Sequence, residues 1–406
     1  MGALSHLKVL DLSRVLAGPW CGQTLADLGA EVIKVERPGA GDDTRTWGPP
    51  WMTDETGANT REAAYFMCAN RGKKSLTLDI SKPEGQDIVR QLATRSDILL
   101  ENYKVGGLAQ YGLDYHSIFR MNPRIIYCSI TGFGQTGPYS PRAGYDFIIQ
   151  GLGGLMSITG ERDDLPGGGP QKVGVAVADL MTGMYSTVAV LAALAERERS
   201  GLGQHIDMAL LDTQVAMTAN MAMNFLASGN PPVRAGNAHP NIVPYQTFAT
   251  SDGHIIVAVG NDGQFTKFCE AAGAPELALD DRFSTNPARV RHREVLVPLL
   301  AALVATRPMD YWSEALEAAG VPCGPINDLA GVFEDPQVQH RGMRIELPHP
   351  SAQTVPLVAS PIKFSRTPVE YRSAPPMLGE HTDEVLGNML GLSAERIATL
   401  RAARVV

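Results

Sequence analysis

KVLDLSRVLAGPWCGQTLADLGAEVIKVE, residues 8–36, decides the fold. Lys8–Leu12 is a short apolar run of strand character, and a helical stretch follows from about Pro19 to Leu28. Glu31–Glu36 then alternates apolar and polar as a strand does. The same rhythm continues outward through a strand at Ser75–Asp79, a helix from about Pro83 to Arg95, a strand at Ile98–Glu101, a further helix and a strand at Ile125–Ile130. Strands alternating with helices predict βαβ units and a mostly parallel sheet. On such sheets ligands sit at the carboxyl ends of the strands.

Beyond this stretch, 173–227 is apolar and rich in Ala and Met, and predicts two helices split near Ser200–Gly203. After Gly229-Asn230-Pro231-Pro232 the composition changes. A strand at His254–Gly260 and helices near Gln264–Ala272, Arg291–Ala305 and Asp310–Ala318 predict a smaller α/β domain. The expected organisation is a large domain at 1–227, a small one at 228–330, and a Pro-rich return to the large domain at 331–406. A chain of 406 residues is long for one core, which agrees with that division.

Hydrophobic residues at 44% and charged residues at 19% are the balance of a soluble globular protein. No run of about 18 uninterrupted apolar residues predicts a membrane span. A net charge of −8 argues against broad nucleic-acid binding, while leaving room for a local basic pocket. The five cysteines are scattered and without CxxC spacing, so neither a disulfide framework nor structural zinc is expected. The start of the chain lacks the charged-then-apolar pattern of a secretory signal, and a cytoplasmic location is the expectation.

The opening βα unit invites a dinucleotide, but its turn, Ser13-Arg14-Val15-Leu16-Ala17-Gly18-Pro19, lacks the glycine set that a pyrophosphate needs. G-x-G-x-x-G does occur at Gly132–Gly137, followed by Pro138 and Pro141, where no helix can start to hold phosphate. NAD is therefore not expected. Neither Gly151–Gly154 nor Gly167–Gly169 leads into a P-loop lysine, and no HExxH or GxSxG pattern supports metal or serine hydrolysis.

The segment from Val9 to Arg45, then Asn70–Asp79, Glu101-Asn102-Tyr103, Tyr145-Asp146, Ala178–Gly183, Gly201–Gln204, Gly324-Pro325-Ile326, Asp335-Pro336-Gln337 and Leu378–Thr382 follow one another as in the class III CoA-transferases, the formyl-CoA-transferase type. The resemblance spans nearly the whole chain. It implies a Rossmann-like large domain built from both chain ends, a small α/β domain inserted in it, and an interlaced homodimer. It also implies coenzyme A, carried as an acyl-CoA substrate, and a small carboxylic acid as the partners in the reaction.

Read locally, Asp179 is a helix N-cap, a place Asp commonly takes. The resemblance matches it to the family's catalytic aspartate, and the two roles are compatible. A carboxylate nucleophile forms a mixed anhydride and then an enzyme-bound CoA thioester, so the thioester is not lost to water. At a helix start the macrodipole favours the ionised carboxylate by roughly 0.3–1 kcal/mol, so Asp179 is expected to be charged at neutral pH.

By the same resemblance Arg37, Leu78-Asp79 and Asn102-Tyr103 fall in CoA-binding segments, together with Leu16, Ala17 and Asp146. Arg71, Lys73, Lys74, Lys104 and Arg142 are candidates for pairing with CoA phosphates. Two departures from formyl-CoA transferases concern the acceptor: Leu16 replaces a glutamine, and His239–Gln246 replaces a glycine run. The Gly236–Phe248 segment looks closer to the succinyl-CoA:glutarate branch, with Tyr65, Tyr145, His239 and Asn241 as candidate substrate contacts. A distal carboxylate wants a cation, for which His239, Arg14, Arg45 and Arg71 are the candidates. The α-methylacyl-CoA racemases resemble this chain too, but their Gly-His-Asp segment is here Gly144-Tyr145-Asp146, and a tyrosine with an unperturbed pKa of about 10 is a poor shuttle for an α-proton. A silent acyl-CoA-binding protein is the other alternative; it would not need Asp179.

Overall fold

A computed structural model describes residues 2–406, so only the first residue of the expected 1–227 segment lies outside it. Six strands form one sheet: β1 (Lys8–Asp11), β2 (Glu31–Glu36), β3 (Lys73–Thr77), β4 (Ile98–Glu101), β5 (Ile126–Thr131) and β6 (His205–Ala209). Their order is β3-β2-β1-β4-β5-β6, and every pairing is parallel. The connections reverse direction at β1 and β4, and a doubly wound sheet opens a crevice outside the carboxyl ends of the strands there.

Both faces are covered, which is why the strands read as nearly continuous apolar runs. On one face Leu10, Ile33, Leu76 and Leu99 pack under α2 (Pro83–Ala93) and the C-terminal helix Ala394–Ala402. On the other, Val9, Val32, Ile98 and Cys128 meet Cys21 and Leu25 of α1 (Ala17–Asp27). The chain after β5 then runs through α3 (Asp146–Leu152) to α4 (Val177–Ser200), which adds Ala178 and Val190 to that second core, and through β6 to α5 (Leu210–Met217). By length and composition α4 could cross a membrane, a test the uninterrupted-run criterion did not apply. Here one side of it packs on α1 and α5. Gly183 permits the close approach to α1, since a Cβ there would lie 2.6 Å from the Ala17 carbonyl oxygen.

The C-terminal segment joins the N-terminal sheet. The His381 N–H donates to Ser75 O (3.0 Å), the Thr77 N–H to Thr382 Oγ1 (3.1 Å), and the Asp79 N–H to Val405 O (2.8 Å). One compact unit accordingly comprises Met1–Leu155, Val173–Met223 and Gln337–Val406. The other comprises Met156–Lys172 and Asn224–Pro336, so it takes in a segment that the 228–330 reading left with the large domain. It holds a three-stranded antiparallel sheet of Tyr245–Ala249, His254–Ala258 and Cys323–Gly324, with His254–Ala258 in the middle. Phe248, Ile255, Val257, Phe268, Leu300 and Trp312 are part of its own core.

One expectation fails: 173–227 is not two helices alone. His205–Ala209 intervenes as β6, paired with β5 from Tyr127↔His205 to Thr131↔Ala209. His-Ile-Asp-Met-Ala contains a single β-branched residue and lies between strong helix formers, so its local preference is overruled by the open edge of β5.

Candidate active site

A cleft of about 450 Å³ opens at the carboxyl ends of β1, β4 and β5. Its walls are the turn after β1, the loop after β4 and the chain after β5; Asp179 of α4 lines it as well. The first two walls are tied across the crevice. The Arg14 N–H donates to Asn102 Oδ1 (2.9 Å), and Asn102 Nδ2 donates to Arg14 O (2.7 Å). In the third, Gly132 crosses Gly144 so closely that a Cβ on Gly132 would lie 2.6 Å from the Gly144 Cα. The G-x-G-x-x-G spacing at Gly132–Gly137 thus opens on a backbone crossing, and no helix begins until Asp146.

Asp179 is the third residue of α4, whose N-cap is Ala176. The cap reading of Asp179 therefore fails, and the carboxylate that serves the helix start is Asp146. Its Oδ1 accepts from the Ala178 N–H (2.8 Å), and its Oδ2 from Gln150 Nε2 (2.7 Å). Burial, reinforced by the Asp146 charge, pushes the Asp179 carboxyl up from 3.8 to about 7. That displacement corresponds to ~4 kcal/mol in favour of the neutral acid, several times what a helix dipole supplies in the other direction. The expectation of a fully ionised Asp179 at neutral pH is corrected accordingly: the acid and its carboxylate are both well populated.

The structure brings Leu16, Ala17, Asn102, Tyr103, Lys104, Arg142 and Tyr145 into the cleft with Asp179. Lys104 and Arg142 are exposed, and neither forms an ion pair among the described residues. The Arg142 guanidinium lies over the rings of Tyr139 (4.5 Å) and Phe133 (5.2 Å). Arg14 also lines the cleft and shares its charge with Asp43 at 3.1 Å. Tyr65 does not line it, yet lies close enough that the charge of Asp179 helps burial raise its phenol to about 12.

Other candidates are placed elsewhere. Arg71 is buried and chelates Asp27 through Nε (2.8 Å) and Nη2 (2.6 Å), with Nη1 on Val358 O, so its donors are committed to the fold. Arg45 is likewise buried, gripping Glu36 through Nε and Nη2 at 2.8 Å each. Lys73 is sealed against Asp11 (2.9 Å), and Lys74 bridges Glu31 (2.7 Å) and Glu384 (2.8 Å). Leu78 is core. Asp79 accepts from Ser81 (2.6 Å from Oγ), with Arg37 exposed nearby; neither lines the cleft.

His239 and Asn241 belong to the second unit, where His239 lines a groove of about 770 Å³ with Arg234 and Arg293. Burial and the Arg293 charge hold its imidazole below 6.5, so at neutral pH it is no cation for a distal carboxylate. The Asn241 side chain accepts from Asn224 (3.0 Å). Sequence reasoning did not single out Val15 as a cleft residue, or Asp42 and Lys34 behind it. The signal lay in Gly41-Asp42-Asp43-Thr44-Arg45, part of the resemblance but without a role assigned to it.

The profile of CoA-transferase family III matches residues 4–382. The chain is 52% identical to a succinate–glutarate CoA-transferase of Agrobacterium fabrum, over 98% of this chain and 97% of that one. It is 43% identical to a human succinyl-CoA:glutarate CoA-transferase, over 99% and 90% of the two chains. Among solved structures, a CAIB/BAIF family protein from Brucella suis superposes with a TM-score of 0.83 at 52% identity, covering 96% of this chain and 99% of that one.

Proposed function

Because the chain belongs to CoA-transferase family III, we propose that it moves CoA from succinyl-CoA to glutarate or a similar dicarboxylate, with Asp179 carrying the acyl group. The observation that supports this most is a half-buried carboxyl at the start of α4, lining the crevice of a doubly wound sheet together with Lys104 and Arg142, which form no ion pair among the described residues. The two glutarate-named relatives supply the substrates.

In this mechanism the Asp179 carboxylate attacks the thioester carbonyl and the CoA thiolate leaves, giving a succinyl–aspartyl anhydride. The thiolate returns to the aspartyl carbonyl and expels succinate, leaving an aspartyl-CoA thioester. An acceptor carboxylate attacks that thioester and again frees the thiolate, which takes the new acyl group and releases the Asp179 carboxylate. Only the carboxylate form can begin, so burial must leave part of the population ionised. Lys104 and Arg142 would meet the phosphates of CoA.

Incubation with succinyl-CoA and trapping with hydroxylamine or borohydride should modify Asp179. Asp179→Ala should abolish exchange while still binding CoA; retained turnover would end this assignment. A homodimer is part of the same proposal. Phe147, Ile148 and Leu152 of α3 and Met184, Tyr185, Val188 and Leu191 of α4 are exposed apolar side chains of the kind a second copy covers. Sedimentation at micromolar protein should give twice the mass of the chain, and a monomer would refute it.

A further inference from the structure

Val15 lines the cleft with a φ of 72°, in the left-handed region. Among the described non-glycine residues with positive φ it alone is β-branched, and a valine takes that conformation only when its surroundings impose it. Two groups hold the Arg14–Val15 peptide: Asn102 at the Arg14 carbonyl (2.7 Å) and Asp42 at the Val15 N–H. Both carboxylate oxygens of Asp42 accept from the Val15 N–H at 3.2 Å. Asp42 is itself fixed: Oδ1 accepts from the Thr44 N–H (3.0 Å) and Oγ1 (2.8 Å), while Oδ2 faces Lys34 Nζ at 2.8 Å, both side chains being fully buried. Lys34 Nζ also donates to Ser13 O (2.8 Å), and the Ser13 N–H donates to Asp11 Oδ1 (2.9 Å). The turn from β1 into α1 is therefore gripped from below at Ser13 and at Val15.

We propose that Asp42 is a positioning residue for the transfer reaction: fixed by Lys34, its carboxylate keeps Val15 left-handed and so sets the wall of the cleft that Asp179 faces. The consequence for chemistry follows from what comes next in the chain. Leu16 is the N-cap of α1 without a side-chain cap, and Leu16 and Ala17 both line the cleft. Were Val15 to relax to negative φ, the first turn of α1 would be re-aimed relative to the acyl group on Asp179. A displacement of about 1 Å at such a wall is enough to cost a large factor in rate. The Val15 side chain is only half-buried and belongs to neither core, so its own packing does not account for this conformation.

The proposal rests on the Asp179 cleft being the site of exchange. Asp42→Asn keeps an acceptor for Val15 and Thr44 but removes the charge that Lys34 holds. It should lower kcat about tenfold or more, with the KM for succinyl-CoA changed by less than about threefold. Val15→Gly in the Asp42→Asn background should raise kcat at least about threefold over Asp42→Asn alone, because glycine reaches positive φ unaided. A wild-type kcat in Asp42→Asn, or a double variant no faster than the single one, overturns the proposal.

Should Asp42→Asn fail to fold, Val15→Pro is the second variant. Proline can neither donate to Asp42 nor take positive φ, while the Lys34 and Thr44 contacts remain. With native circular dichroism it should trap the Asp179 adduct at least about tenfold more slowly, and a wild-type trapping rate overturns the proposal. Asp179→Ala run alongside separates the two ideas. Turnover retained there overturns the site and this proposal with it, whereas wild-type kcat in Asp42→Asn alone overturns only the proposal.

Discussion

The raised carboxyl of Asp179 makes the pH profile the sharpest test of the site. With a midpoint of about 7, roughly a tenth of the free enzyme carries the carboxylate at pH 6, a half at pH 7 and nine-tenths at pH 8. The kcat/KM for succinyl-CoA should therefore rise about fivefold from pH 6 to pH 7 and less than about twofold from pH 7 to pH 8. An aspartate at its ordinary value would give a level profile over the whole interval. The assay is chromatographic separation of succinyl-CoA from glutaryl-CoA after short incubations, at constant ionic strength from pH 5.5 to 8.5. Asp146→Asn removes the neighbouring charge but keeps an oxygen for the Ala178 N–H, so the acid limb should move to lower pH. A level profile between pH 5.5 and 8, or a limb that moves upward in Asp146→Asn, would refute the reasoning.

Stability gives a second check of the same group. A carboxyl raised on folding holds its proton better in the native state, so stability falls as pH rises from about 4 through about 7. Asp179→Asn removes this cost: unfolding at pH 8 should show a gain of up to ~4 kcal/mol that fades below pH 5. Arg71→Met, which strands the buried Asp27 carboxyl, should cost on the order of 3–5 kcal/mol in chemical denaturation and leave the CoA affinity of the folded enzyme unchanged; weakened CoA binding would return Arg71 to the site. Arg142→Gln should raise the KM for acyl-CoA and flatten its dependence on salt while sparing kcat, and an unchanged salt dependence counts against a phosphate contact. Gly183→Ala should destabilise by about 1–3 kcal/mol despite the helix propensity of alanine, because its Cβ meets the Ala17 carbonyl at 2.6 Å; a raised melting temperature would show that α1 yields.

The sheet was legible because its information is local and periodic. KVLDL, EVIKVE and ILLE are apolar enough to be buried on both faces, and the helices between them leave a parallel sheet as the way to connect them. β6 was not, since nothing in His205–Ala209 prefers a strand until β5 offers a free edge. The site divided along the same line. Asn102 and Tyr103, with Lys104 beside them, were placed by resemblance, and they follow the end of β4, where a parallel sheet puts its ligands. Asp146 could be assigned to the site by resemblance, but not its role, because its bond to the Ala178 N–H spans thirty-two residues and exists only once α3 and α4 are folded.

Cations were misread most, and the reason is physical. Arg71, Lys73, Lys74, Lys104 and Arg142 are equivalent donors in a sequence, and only burial sorts them. Lys73 and Arg71 sit against acids in the interior, where an unpartnered charge would cost several kcal/mol, so they cannot turn toward a ligand without abandoning Asp11 or Asp27. Lys74 is held between two carboxylates that already balance it. Lys104 and Arg142 have no such commitment among the described residues, and an exposed cation beside water gives up little when a phosphate arrives. The interior ions can then be assigned to shape, and the exposed ones are those that the proposed CoA contact needs. Lys34 stands at the boundary: it is fully buried, yet through Asp42 it reaches the wall of the cleft, so an ion that never meets the substrate still constrains where the substrate can lie.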